Sequence, residues 1–238
     1  MTGKLKAVPK ILTVLLLISF LLSGGLKAHA APETPGLPEG FVYVADIVPD
    51  VILEIRYYST YNFLGARVDD YLSPVAILSE EAAAALKQAS GNLRKQGYAV
   101  KVFDAYRPQG AVDHFVRWAK NENDVLTKEY FYPDVEKSRL IPDGYIAERS
   151  GHSRGGTVDL SIVDMRTGKE MDMGSPFDFF GPLSHHGTKL ITDEQTKNRS
   201  ILKNAMEQAG FKPYNEEWWH YTLIDEPFPD TYFKFPVR

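Results

Sequence analysis

One stretch of this chain, residues 150–162, places a charged side chain at the start of a run that should be buried. Asp159 stands between Val158 and Leu160 and opens an apolar, β-branched segment that is typical of a buried strand. A carboxylate in such a place must be paired or bound to a cation, because an unpaired buried charge is very costly. His152 lies in a glycine-bearing loop just before the strand, and imidazole and carboxylate are familiar zinc ligands. The stretch therefore predicts a strand that carries a metal site.

A third ligand must come from a distant part of the chain, and the segment Glu217-Trp-Trp-His220 is the best candidate. Three protein ligands that leave one position open are typical of a catalytic zinc site, not a structural one. The chain has no cysteine, so any metal must be held by nitrogen and oxygen ligands. Residues three apart on an ideal strand point to opposite faces. Glu217 and His220 therefore share a site only if a bulge or turn lies near Trp218, or if Glu217 precedes the strand.

Two further side chains fit the chemistry of a hydrolytic metal site. Peptide hydrolysis requires a base that takes a proton from water and returns it to the leaving amine, and Glu217 suits that role. Its alternative interpretation is a solvated Glu216–Glu217 pair. Arg107 follows a predicted strand and precedes Pro108, so its guanidinium is placed to hold the oxyanion that forms on an attacked carbonyl. Its alternative interpretation is a salt bridge to Asp104.

Other histidines are weaker candidates for a metal site. His185 and His186 form a rival pair, but adjacent histidines usually point apart, and no suitable acid follows them. His114 lies within a predicted helix, where a surface or packing role is expected.

The remaining sequence predicts an α+β fold. Alternating apolar residues predict strands at 51–57, 98–103, 158–163 and 218–223. Capping residues and terminal glycines predict helices over 79–97, 108–121 and 192–210. Turn-rich segments predict loops at 59–74, 123–149 (with one short helix) and 171–186. This order predicts a single domain with helices packed against a mainly antiparallel central sheet, on which the zinc site lies.

The N-terminus predicts an exported protein. Three lysines in the first ten residues precede the apolar run at 11–22, and Ala28-His29-Ala30 follows it. A basic start, a short apolar core and a small-residue end are typical of a secretory signal peptide, and the run is short for a membrane span. We therefore expect a signal peptide over 1–30, a flexible segment over 31–40 and a domain over 41–238. The mature protein would lie in the periplasm or outside the cell, without a membrane span.

Charge excludes two classes of partner. Removing residues 1–30 takes away four lysines and no acid, which changes the formal net charge from −4 to −8. Nucleic acids and anionic membranes both favour a basic protein surface. We therefore expect neither as a partner.

Three motifs together resemble the D-alanyl-D-alanine dipeptidases. These zinc peptidases form a group with the D-alanyl-D-alanine carboxypeptidases and the hedgehog signalling domain. Residues 150–159 match the group's Ser-x-His-x-x-Gly-x-Ala-x-Asp motif, except that Thr157 replaces the alanine. Glu217 and His220 match its Glu-x-x-His motif, and residues 104–108 match Asp-x-Tyr-Arg-Pro. The resemblance extends from about residue 41 to residue 222 and includes Tyr-Asn-Phe-x-Gly at 61–65.

The resemblance implies a role for each of these residues. One Zn²⁺ per chain is implied to bind to His152, Asp159 and His220. Glu217 is implied to act as general base and acid, and Arg107 to stabilise the transition state. The substrate-binding residues are implied to be Ser150, Asp178 and Tyr57. A carboxylate at residue 178 would make a charge-assisted contact with the free ammonium of a dipeptide.

The implied reaction is the hydrolysis of D-Ala-D-Ala to free D-alanine, with this small D-amino-acid dipeptide as the substrate. Two alternatives stay open. A D,D- or L,D-carboxypeptidase would use the same metal centre in an open cleft to trim peptidoglycan stem peptides. A non-catalytic zinc-binding module of the hedgehog kind would have no use for Glu217 and Arg107.

Overall fold

The computed structural model describes residues 2–3 and 36–238. Nearly all of the predicted signal peptide, its cleavage site and the first half of the flexible segment at 31–40 fall outside the described residues. Within the described ranges, no helix has the length and apolar character that crossing a bilayer requires. All that follows concerns Leu37–Arg238, which forms one compact unit.

Short strands and a few helices alternate along this unit. The strands are β1 Phe41–Tyr43, β2 Ile52–Leu53, β3 Ile77–Ser79, β4 Tyr98–Asp104, β5 Thr157–Asp164, β6 Phe211–Tyr214 and β7 Glu217–Leu223. The α-helices are α1 Val44–Ile47, α2 Glu80–Arg94, α3 Gln109–Lys120, α4 Lys128–Phe131 and α5 Asp193–Gln208. Single 3₁₀ turns cover Arg56–Tyr58, Lys137–Arg139, Gly151–Arg154 and Pro182–Ser184.

The central sheet has five strands in the order β2-β4-β5-β7-β6. The pairs β4–β5, β5–β7 and β6–β7 are antiparallel, and only the edge strand β2 pairs with its neighbour in parallel. A separate antiparallel pair joins β1 to β3. This confirms an α+β domain with a mostly antiparallel sheet, although the sheet is mixed at its β2 edge.

Local sequence signals set the two long helices. Ser79 caps α2 by accepting a hydrogen bond from the backbone N–H of Ala82, and Thr192 and Gln195 form a complete capping box at the start of α5. The two helices contact each other, α2 also contacts β4, and α5 also contacts β6 and β7. Apolar side chains such as Leu86 and Leu202 are fully buried, and each stabilises the fold by about 1.5–3 kcal/mol.

The predicted strand at 51–57 is mostly wrong. Only Ile52–Leu53 pair with β4, and a 3₁₀ turn over Arg56–Tyr58 follows. The alternation failed because Arg56 is buried although its position predicts a solvent-facing side chain. Its guanidinium stacks 4.1 Å from the ring centroid of Tyr61 and 4.9 Å from that of Phe103. An arginine buried by aromatic rings therefore looks, in sequence, like an exposed strand residue.

Candidate active site

The register of the central sheet brings two of the predicted ligands together. Asp159 on β5 lies opposite Asp104 on β4 and opposite His220 on β7. The β4–β5 register shifts between Val102 and Asp104, and this β-bulge brings Asp104 level with Asp159. Three polar side chains from three neighbouring strands therefore meet at one level of the sheet.

The third predicted ligand, His152, reaches the sheet from a tight loop. Ser150 caps the 3₁₀ turn Gly151–Arg154 by accepting a hydrogen bond from the backbone N–H of His152. Gly155 ends the turn with φ +80°, and a Cβ there would collide with the ring of Phe41. The Nδ1 atom of His152 lies 2.7 Å from the carbonyl oxygen of Ala105. That contact orients the imidazole ring and turns its Nε2 atom towards Asp159.

The three side chains converge with the spacing of a metal site. His152 Nε2 lies 3.3 Å from Asp159 Oδ2 and 3.4 Å from His220 Nδ1, and His220 Nδ1 lies 3.2 Å from Asp159 Oδ1. Ligands about 2.0–2.1 Å from one tetrahedral ion stand about 3.3–3.4 Å apart, so the observed spacing fits. Oδ1 of Asp159 is buried and has no hydrogen-bond partner among the described residues. Among the described residues, His152, Asp159 and His220 form the group of acids and histidines whose ligand atoms are close enough to hold one metal ion.

The electrostatics of this group favour a cation. Burial alone would raise the pKa of Asp159, but His152 and then His220 hold that pKa well below its ordinary value. Burial also opposes protonation of His220, yet the adjacent carboxylates of Asp159 and Glu217 raise its pKa to about 9. Both pKa shifts show that positive charge at the centre of the group is favourable. A divalent metal supplies that charge in place of protons.

Glu217 lies beside the same group because β7 is irregular. On β6, Pro213 pairs with Tyr221 of β7, and the next residue, Tyr214, pairs with Glu217. One step along β6 therefore corresponds to four residues of β7. This is the irregularity that the spacing of Glu217 and His220 required. The carboxylate of Glu217 lies 3.3 Å from Nδ1 of His220, and its side chain is 18 % exposed. It therefore faces both the candidate metal site and solvent.

Arg107 is fixed beside the metal group. Its Nε donates to Asp104 Oδ2 at 2.9 Å, and its Nη2 lies 3.3 Å from Asp159 Oδ2. Its backbone N–H donates to the carbonyl of His152 at 3.3 Å, and its guanidinium lies 4.9 Å from the ring centroid of Tyr57. The alternative salt bridge to Asp104 is thus present, and the same guanidinium also lines the cavity described below.

Sequence reasoning missed how Asp104 is supported. The hydroxyl of Tyr71 donates to Asp104 Oδ1, and the other carboxylate oxygen holds Arg107. Burial raises the pKa of Asp104, while Arg107 and His152 oppose that rise. Tyr71 lies in a predicted surface loop yet is buried, and no local sequence signal identifies it.

A cavity of about 260 Å³ opens over these residues. Its walls combine aromatic side chains with the polar residues already described. The aromatic lining is Tyr57, Phe63, Phe115, Tyr145, Phe180 and Tyr214, and the polar lining includes Arg107, Ser150, Glu217 and Asp178. The volume lies just below the usual range of about 300–1,000 Å³ for drug-sized ligands, so the cavity suits a smaller molecule.

Asp178 and Tyr57 line this cavity together. The hydroxyl of Tyr57 donates to Asp178 Oδ1 at 3.1 Å, and Asp178 Oδ2 is buried with no partner among the described residues. Burial and then the nearby Asp159 raise the pKa of Asp178 well above its ordinary value. A buried carboxylate with a free oxygen is a binding site for a cationic group, which would restore its charged form.

The remaining candidates lie outside the group or support it. Burial lowers the pKa of His186 to about 4, and neither His186 nor His185 belongs to the metal group. His114 accepts a hydrogen bond from the backbone N–H of Asp69, which confirms a packing role for it. Thr157, which replaces the alanine of the family motif, contacts the hydroxyl of Thr222 at 3.0 Å.

Comparison with known proteins matches the same part of the chain. Residues 38–238 match the family model described as D-ala-D-ala dipeptidase. A D-alanyl-D-alanine dipeptidase from Enterococcus faecalis is 43 % identical over 201 residues, which are 84 % of this chain and 100 % of the relative. Proteins of the same name from Enterococcus faecium and Streptomyces coelicolor are each 40 % identical, over 84 % and 83 % of this chain and 98 % of each relative.

The match covers every residue of the candidate site, from Tyr57 to His220. On this evidence the chain is a metallopeptidase and belongs to the D-ala-D-ala dipeptidase family.

Proposed function

We propose that this chain hydrolyses D-alanyl-D-alanine to two molecules of D-alanine with the help of one bound Zn²⁺. The observation that carries the proposal is the convergence of His152, Asp159 and His220, with tetrahedral spacing, on the wall of a small cavity. The relatives named as D-alanyl-D-alanine dipeptidases support the choice of substrate.

Two imidazoles and one carboxylate form a donor set that suits zinc and leaves one coordination position open. When bound, the ion polarises water and the substrate carbonyl. The protein holds the donors ready for it. His152 is oriented through its contact with the Ala105 carbonyl, and Asp159 is fixed in the sheet register between β4 and β7.

Glu217 acts as the general base and acid. Its carboxylate is close to His220 and lines the cavity, so it can take a proton from the attacking water and pass it to the leaving amine. Arg107 carries the fixed positive charge that stabilises the oxyanion on the attacked carbonyl. Asp104 holds this guanidinium in place through its Nε atom, so stabilisation requires no rearrangement of the side chain.

Asp178 and Tyr57 select a substrate with a free ammonium. The unpartnered Oδ2 of Asp178 accepts that group, and Tyr57 holds the carboxylate through Oδ1. Ser150 supplies a further polar group to the cavity. A peptide extended at its N-terminus has no ammonium at this position and more volume than the cavity offers, which favours a dipeptidase over a carboxypeptidase.

A purely zinc-binding module is the less suitable alternative. Glu217 and Arg107 both line the cavity beside the metal group, and a binding module would have no use for either. Export remains part of the proposal because the N-terminal pattern is typical of a signal peptide. The enzyme would then act in the periplasm or outside the cell.

A substrate series tests the proposed function. Purified protein over residues 31–238 should release D-alanine from D-Ala-D-Ala, and should lose activity on treatment with a chelator and recover it with Zn²⁺. The rate should fall by about 100-fold or more for tri- and pentapeptides that end in D-Ala-D-Ala, because their acylated amine leaves the buried Asp178 unpaired. Equal or faster cleavage of the pentapeptide would instead show a carboxypeptidase.

Replacing the general base separates catalysis from metal binding. Glu217→Ala should lower kcat by about 10²–10⁴-fold, since it removes the carboxylate that transfers the proton, while the zinc content stays at one per chain. The matched control is Glu216→Ala, which removes the neighbouring acid outside the cavity. If the two variants lose activity equally, or if Glu217→Ala keeps the wild-type rate, Glu217 is not the base.

A matched pair on β5 tests the metal ligand. Asp159→Asn should weaken zinc binding by about 100-fold or more, because it removes the anionic ligand at the centre of the group. Asp164→Asn, at the other end of β5, should leave the affinity unchanged, since Asp164 only accepts hydrogen bonds in the turn that follows. Titration with Zn²⁺ under a competing chelator measures both. Equal affinities would remove Asp159 from the ligand set.

A further inference from the structure

The residue that recognises the substrate ammonium lies on a segment with little regular structure. Residues 171–186, the Asp178 loop, contain a single 3₁₀ turn over Pro182–Ser184. Asp178 itself has φ +64°, a conformation that side chains other than Asn and Asp seldom adopt. Its carboxylate is buried with one oxygen free. Such a loop keeps a charged group in place only if other parts of the protein hold it.

Arg199 on α5 holds both ends of the Asp178 loop. Its Nε donates to the carbonyl of Met173 at 2.6 Å, near the start of the loop. Its Nη1 and Nη2 donate to the carbonyls of His185 at 3.0 Å and Leu183 at 2.9 Å, near the end. One planar guanidinium therefore joins two loop segments that are about ten residues apart in sequence, and it closes the loop between them.

Arg199 does this at an energetic cost. It is only 4 % exposed, and no carboxylate of the described residues forms a salt bridge with it. A buried cation without a counter-ion is unfavourable unless its donors are all used. Burial accordingly lowers the pKa of Arg199 to about 10. The three hydrogen bonds to backbone carbonyls offset part of this cost, and an apolar side chain would leave those carbonyls without this donor.

Two neighbours on α5 extend the same contact. Asn198 donates to the carbonyl of Asp172 at 2.8 Å, and Gln195 donates to its carboxylate at 2.9 Å. Gln195 also completes the capping box that starts the helix. The start of α5 and the Asp178 loop therefore form one hydrogen-bonded unit.

We propose that Arg199 is a positioning residue that sets the selectivity of this enzyme for a free ammonium group, by fixing the loop that carries Asp178. The proposal rests on the proposed dipeptidase function. Arg199 belongs neither to the cavity lining nor to the metal group, so it acts on the site through the residues it contacts. These are the carbonyls of the Asp178 loop and the ring of Trp218 on β7, whose centroid lies 5.9 Å from the guanidinium. Lysine keeps the charge but offers one compact head group, which cannot bond three carbonyls in a plane.

The test compares D-Ala-D-Ala with propionyl-D-alanine, which is the same amide with a hydrogen atom in place of the ammonium group. The measured quantity is the ratio of kcat/KM for the two compounds. Arg199→Lys should lower this ratio by about ten-fold or more, mainly through a higher KM for D-Ala-D-Ala, with zinc content unchanged. Asp178→Asn should lower the same ratio. Arg94→Lys, at an exposed arginine of α2 that pairs with Asp50, should leave it unchanged.

The outcomes separate this inference from the function on which it rests. Failure of the wild type to cleave D-Ala-D-Ala would remove the proposed function and the inference with it. If the wild type is active and Asp178→Asn loses selectivity, but Arg199→Lys slows both compounds equally, Arg199 only stabilises the fold and the inference is wrong. Should Arg199→Lys fail to fold, Asn198→Ala weakens the same contact. It should lower the ratio by a smaller factor, and an unchanged ratio would overturn the inference.

Discussion

The structure depends on a carboxylate that is buried in the middle of its sheet. Asp159 lies between β4 and β7, with Asp104 on one side and His220 on the other. It is stable there because the guanidinium of Arg107 and two imidazoles lie within about 3.5 Å of it. The two imidazoles that contact Asp159 are also the residues that would bind a divalent metal with it. The same contacts therefore stabilise the buried carboxylate and prepare the metal site.

The loop that supplies His152 is held by the C-terminal part of the chain. Arg154 pairs through two nitrogens with the carboxylate of Glu226, and the backbone N–H of Phe233 donates to Ser153. Phe233 also packs edge-on against Phe41, whose ring leaves space only for a glycine at the end of the loop. A ligand on a flexible glycine-containing turn is thereby fixed from both sides, as a preorganised metal site requires.

The sequence predicted those parts of the molecule whose signals are local or chemically unusual. The capped helices α2 and α5 and the buried strand β5 follow from such signals, and so do the ligand candidates, because a charged residue in an apolar run is hard to explain otherwise. Strands β1, β3 and β6 were missed because three or four residues show no period, and β6 also contains Pro213. Tyr71 and Arg199 were missed because their contacts join segments far apart in sequence.

The central claim is that one ion binds between His152, Asp159 and His220. Crystals of the zinc-loaded protein, measured on both sides of the zinc absorption edge, would test it directly. The account predicts one anomalous peak per chain, within about 2.0–2.2 Å of His152 Nε2, His220 Nδ1 and an oxygen of Asp159. A peak elsewhere, or no peak in protein that retains activity, would contradict it.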